Sequence, residues 1–378
     1  MLVAGPWPTP IPQTGADPSW WPPGTRTADD DSRVAAYTAA LAFFQGSQWQ
    51  ERPRRGESRL VLNYARALIR KTASYVFPGP VSFSAVTTDD EAARTAGNRA
   101  ERLLASLGTR LDLTRLDLAL AVDASVLGDA AIKVTWDHRS ASPRIAAVDP
   151  GSLAVRWAPD DPRSVEMVTH VYGLTGFQLR RLFPTIPLAG LAVERTWPVV
   201  EEWTVDQWTL RIAGQVVQDI ANPYGWIPYV IAAHNPRPFS FWGESDLTDL
   251  VGVCQELNQR MTVLSRILEL SGAPIAVLEN VQGSDGIAVG PGAKWELPEG
   301  ARAYLLDLLQ GGGSQLHLDY VDHLFRVLHD LSETPRTAFG DSGRDLSGAA
   351  LEVEIQPLVQ KVRRKTLCCG TVQFPLTN

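Results

Sequence analysis

Between residues 243 and 270 the apolar side chains Leu247, Leu250, Cys254, Leu257, Met261, Leu264 and Leu268 recur at alternating steps of three and four. That spacing draws one narrow stripe along one face of a helix, a pattern suited to packing against a second helix. At 1.5 Å per residue such a helix is about 40 Å long. Gly272 and Pro274 close it, because glycine caps a helix cheaply and proline cannot extend the hydrogen-bond ladder. Some fifty residues later Tyr320, Leu324, Val327 and Leu331 repeat the pattern, ending at Thr334-Pro335. Two long helices bracketing a Gly-rich insertion read as a stalk with a small head, the alternative being an ordinary helical hairpin inside one globular domain.

The remainder divides into segments of distinct period. Residues 1–32 begin with seven prolines and three tryptophans before residue 25 and read as an extended arm. Helices are expected at 33–49, 60–75, 89–107 and 113–127, with a strand at 81–86. From 131 the period shortens to two. Strands are expected at 131–136, 144–148, 153–157, 167–172, 199–204, 207–212, 215–220 and 229–233, separated by turns such as Asn222-Pro223-Tyr224-Gly225. Strands and helices do not alternate as βαβ units, so the fold class is α+β.

Composition narrows the function. With 378 residues, 44% apolar and 20% charged, the chain has ample material for a core and no 18-residue apolar run. The first ten residues lack a signal peptide's basic start and apolar centre, so an intracellular, soluble protein outside the membrane is expected. Three cysteines, two of them adjacent, offer neither a disulfide framework nor a spaced zinc site. A formal charge of −7 disfavours a simple basic DNA-binding surface, yet suits a wall past which DNA slides without sticking.

Catalytic motifs fail in context. Gly340-Asp341-Ser342-Gly343 looks like the nucleophile segment of chymotrypsin-like proteases, but Arg344 follows and the flanks are helical. His317, His323 and His329 recur every six residues, which scatters them around a helix instead of gathering them on a metal. Gly311-Gly312-Gly313 lacks the lysine of a phosphate-binding loop. No enzyme activity, cofactor or metal is expected, and function is sought in shape and assembly. The basic run 361–365, KVRRK, reads as the solvated end of a helix, with Glu352 and Glu354 upstream available for contacts between copies.

A resemblance then enters. LSETPRTAFGDSGRDLSGAALEVEIQPLVQKVRRK, ending at Lys365, resembles the tunnel-loop and channel-helix segment of tailed-bacteriophage portal proteins. The same order is kept by AYTAALAFFQGSQW, GDAAIKVTWD, PRIAAVDPGSLAV and NPYGWIPYVIAAHNPRP. The resemblance spans about residues 30 to 365. It implies a siphophage-type portal: a homo-oligomeric ring, usually of twelve subunits, at a capsid vertex of the virion, assembled in the host cytoplasm. Double-stranded DNA would pass through it without sequence reading, and terminase large subunit, a head-completion adaptor and the major capsid or scaffold protein would dock on it. The implied parts are a wing at 33–242, stem helices at 243–271 and 319–333, a clip at 272–318, a tunnel loop at 334–346 and a channel helix at 347–366. The tail at 367–378 is short, so the usual crown is expected to be missing.

Within that scheme the stem interface comprises Leu247, Leu250, Leu257, Met261, Leu264 and Leu268. The clip carries Glu279, Asp285, Lys294 and Glu296. Arg336, Thr337, Asp341, Ser342 and Arg344 are the DNA-facing residues of the tunnel loop. The competing readings are a head-completion or tail-adaptor ring and an unfamiliar hydrolase or nuclease.

Overall fold

The computed structural model describes residues 16–51, 58–85, 90–137, 140–184, 186, 190–272, 275–280, 299–306, 313–341 and 347–370. It is α+β, with 47% helix and 24% strand. Four helices come first: α1 (Ala28–Gln45), α2 (Tyr64–Val76), α3 (Glu91–Arg110) and α4 (Leu113–Leu127). α1 starts five residues before the expected position because Thr27 and Asp30 form a reciprocal capping box. Residues 81–85, expected as a strand, form none.

The strands follow as β1 (Asp129–Asp137), β2 (Ser142–Val148), β3 (Leu153–Ala158) and β4 (Asp161–Thr175). After the short helix α5 (Gly176–Leu182) come β5 (Thr196–Trp203), β6 (Gln207–Ile212), β7 (Gln215–Ala221) and β8 (Tyr229–Ala233). They build two antiparallel sheets, β2-β1-β8 and β3-β4-β5-β6-β7. A core shared between the sheets contains Ala131, Leu153, Val168, Trp203, Tyr229 and Trp242. The described end of the N-terminal arm lies on the chain's own larger sheet: Ala16 is buried, and Trp20 and Trp21 pack against Val171 and Val200.

The heptad stripe is divided between a turn and a helix. α6 is Val251–Gly272, not 243–270, so Leu247 and Leu250 precede it. Residues 243–250 stay out of the helix because their donors are bound elsewhere: Gly243 N–H donates to Asp129 Oδ1 at 2.8 Å, and Asp246 N–H to the Ser125 carbonyl at 2.9 Å. The chain passes α4 so closely there that a Cβ on Gly243 would sit 2.3 Å from the Gly128 oxygen.

β9 (Ile275–Glu279) and β10 (Arg302–Leu306) pair antiparallel within the same chain, and α7 (Gly313–Leu331) runs back beside α6. The stripe faces inward. Leu247, Leu250 and Cys254 join Tyr37, Leu68, Val126 and Leu328 in one core, and Leu257 is enclosed by Val321 and Leu324. Met261 packs on the latter cluster and Leu264 is buried, while Leu268 is 57% exposed. A charge at Leu257 would therefore strike the subunit's own core before any contact between copies. α8 (Gly348–Gly370) ends the described chain.

Candidate functional site: a charged node beneath the last helix

The basic run is only partly solvated: Arg363 and Arg364 are exposed, but its two lysines are not. Counting along α8, Leu358, Lys361 and Lys365 share the inward face at steps of three and four, and all are buried. Lys365 Nζ reaches both oxygens of Asp246, at 2.8 and 2.7 Å, and also contacts His234 Nε2. Lys361 Nζ lies 3.6 Å from Asp246 Oδ2 and donates to the Ser332 carbonyl at 2.9 Å. Asn235 Nδ2 completes the carboxylate's shell at 2.7 Å. Four pieces of chain thus converge: the end of β8, the approach to α6, the turn after α7 and the last helix.

Electrostatics fix the protonation states. Burial alone would raise the Asp246 carboxyl, but Lys361 and Lys365 hold it well below the usual carboxylate range. Burial, then the charge of Lys365, pushes His234 down to about 3. An ammonium donating to Nε2 leaves that nitrogen as the acceptor, so the neutral ring carries its proton on Nδ1. Two ammonium groups against one carboxylate leave one positive charge in excess. At the edge, Arg364 Nη2 meets Glu333 at 2.5 and 2.6 Å.

A second buried pair ties the two sheets. Lys133 Nζ on β1 lies 2.7 and 2.6 Å from the carboxylate of Glu201 on β5, which also accepts from Tyr172 Oη at 2.6 Å and Trp203 Nε1 at 2.8 Å. Burial opposes the charge on Glu201, yet Lys133 and the neighbouring donors bring it down to about 2. His170 beside it is pushed down to about 3 by burial and by Lys133, with Nδ1 2.9 Å from Tyr229 Oη. Both oxygens of Glu201 accept from donors, and the cluster ties β1 to β5.

The two histidines set an acid limit. An unfolded histidine takes up a proton near 6.5, whereas His170 and His234 resist until about 3. The unfolded chain therefore binds more protons in that window, and stability falls as pH drops through it, by at most about 1.4 kcal/mol per pH unit for each ring. Asp123 and Asp149, raised by burial to about 6, take up protons in the same window and offset part of this loss, so the direct readout is the rings themselves: by NMR both imidazoles should stay neutral from pH 7 to pH 5, and titration of either near 6.5 would mean that it is not held neutral.

The expected tunnel-loop residues are partly packed down. Thr334 is fully buried, its N–H donating to the His329 carbonyl at 3.2 Å, and Phe339 stacks on Tyr64 with ring centroids 6.0 Å apart. Arg336 pairs with Asp322 at 3.3 Å and with Asp341 at 2.9 Å, and the Thr337 hydroxyl is buried. The first half of this segment is thus fastened to α2 and α7, contrary to the freedom its glycines suggest. Ser342 and Arg344 lie outside the described residues, as do Asp285, Lys294 and Glu296. Glu279 is exposed on β9, opposite Arg302 and 3.2 Å from Tyr304 Oη.

Among the described residues no three His, Cys, Asp or Glu side chains gather as a metal set. The Cys254 thiol is buried and pushed up to about 11, which disables it as a nucleophile at neutral pH. No described helix is long and apolar enough to cross a membrane.

No protein-family model and no curated protein matches the chain.

Several residues of the site carry no local signal. Arg33 is buried over the Trp242 ring at 3.7 Å and donates to the carbonyls of Pro150 and Leu153 at 2.9 and 2.8 Å. Asp246 and Glu201 read as ordinary polar residues. Only the spacing of Lys361 and Lys365, on the same face as Leu358, could have shown that the basic run turns inward.

Proposed function

We propose that this chain is one subunit of a ring through which double-stranded DNA passes at the capsid vertex of a tailed phage. The observation that carries the reading is the α6–α7 pair: two antiparallel helices joined by a segment containing the paired strands β9 and β10, followed by a short connection and one last helix. That order agrees with the stem, clip, tunnel loop and channel helix implied by the resemblance at 331–365. The formal charge of −7 supports it too, because a wall of net negative charge holds a moving polyanion weakly.

On this reading the two sheets and first helices form the wing. The β9–β10 end meets terminase or the head-completion adaptor, and the capsid or scaffold protein contacts the periphery. A ring of twelve is the expected state. Chemistry belongs to the motor that docks, and none is assigned to this chain. Sedimentation velocity on the purified protein tests the assembly: species many times heavier than 41.3 kDa support it. A monomer at all accessible concentrations would overturn the ring and return the chain to the hydrolase or nuclease class.

A further inference from the structure

Small side chains leave a space between α4 and the three-stranded sheet. Asp117, Ala121 and Ala124 share one face of α4, while Ala130–Ala232 and Ile132–Val230 are cross-strand partners on one face of β1 and β8. Where a helix rests on a sheet, long side chains normally fill the layer between them; here alanines stand on both surfaces. The result is a cleft of about 150 Å³, partly open to solvent, with Phe77 at the end of α2 as a further wall. Its lining is apolar except for two side chains, Asp117 and His234.

His234 follows Val230 and Ala232 at steps of two, so it continues the strand face that lines the cleft. Its side chain is 1% exposed. Nε2 is taken by Ser125 Oγ at 3.0 Å and by Lys365, whereas the buried Nδ1 has no hydrogen-bond partner among the described residues. Because the neutral ring carries its proton on Nδ1, the cleft contains an N–H donor that the subunit itself does not satisfy. A buried donor left unpaired is costly, and a molecule that brings an acceptor removes that cost. Asp117 stands at the other end: it lies two turns from Ala124, about 10 Å along the helix at 1.5 Å per residue.

We propose that this cleft binds a neutral molecule the size of a single six-membered ring, whose polar atom accepts a hydrogen bond from His234 Nδ1. Volume sets the size, since an apolar cavity of about 150 Å³ accommodates benzene. The carboxyl of Asp117 disfavours an anion, and the excess positive charge of Lys361 and Lys365 behind His234 disfavours a cation. The cleft lies within one subunit, so the proposal stands or falls separately from the assembly.

Pyridine and pyrrole test it, both neutral at about pH 8. Pyridine only accepts a hydrogen bond, and the N–H of pyrrole only donates one. Binding is read on the full-length protein by saturation-transfer NMR of the probes, which works at any particle size. Pyridine should bind about tenfold more tightly than pyrrole, since pyrrole would set one donor against another. Ala121→Leu and, separately, Ala232→Leu fill the cleft and should abolish pyridine binding, with melting by circular dichroism showing which variant keeps the fold. Equal binding of the two probes would remove His234 Nδ1 as the recognising group, and pyridine binding that survives in a folded, filled variant would place it outside the cleft. If neither probe binds the wild-type protein, water suffices for the donor and the proposal is wrong.

Discussion

Asp246→Asn should destabilise the subunit by about 3–5 kcal/mol, measured by urea unfolding at neutral pH. The size follows from what is left behind. Lys365, with a side chain 2% exposed, and Lys361, at 11%, would lose their shared carboxylate in a site that already carries an excess positive charge. Asparagine keeps the shape and the hydrogen bond to Asn235 can be remade, so lost volume cannot explain a large effect. The damage should begin at the last helix. Limited proteolysis should open α8 first, since Leu358 is its only fully buried apolar side chain among the described residues. Adding Lys365→Met to Asp246→Asn should recover part of the loss, because one unpaired ammonium is removed. An unchanged midpoint in the single variant would show that the lysines are solvated and the node does not hold α8.

The second large effect belongs to the joint between the sheets. Glu201→Gln should cost about 3–5 kcal/mol, toward the lower end because the Lys133 side chain keeps 18% of its exposure. Tyr172 and Trp203 donate to different oxygens of the carboxylate, so the one amide oxygen of the replacement could accept from only one of them, and a neutral group cannot balance Lys133. The acid response provides a second readout. A carboxyl lowered from 4.5 to about 2 contributes stability that is complete above the unfolded value and is lost as pH falls through the folded one. Wild-type and variant stability curves should therefore converge below pH 4.5 and stay separated by a constant amount above it. Parallel curves throughout would assign the loss to packing.

These two pairs also mark the boundary of what the sequence makes legible. Strands β6 and β8 fall where alternation places them, 207–212 and 229–233, because local pattern and sheet face agree. The α+β class follows from the same patterns. Asp246 and Lys365 are 119 positions apart and Glu201 and Lys133 are 68 apart, so no local period connects them. The heptad stripe is readable as a stripe but not in direction: an inward face toward α2 and α7 and an outward face toward another copy give the same spacing. Side chains and carbonyls of α4 and β1 delay the start of α6 by taking the donors at 243–246. In the segment after α7 the glycines suggest freedom, whereas Thr334 is held by His329 five residues earlier and Phe339 by Tyr64, which sequence order does not bring near it.

Whether the subunit builds a conduit is tested most directly by imaging the purified full-length protein by negative-stain electron microscopy across a range of concentrations. Closed rings with a central opening wide enough for a DNA duplex are the expected result. Compact particles of one 41.3 kDa chain at every concentration, with no ring at all, would contradict it.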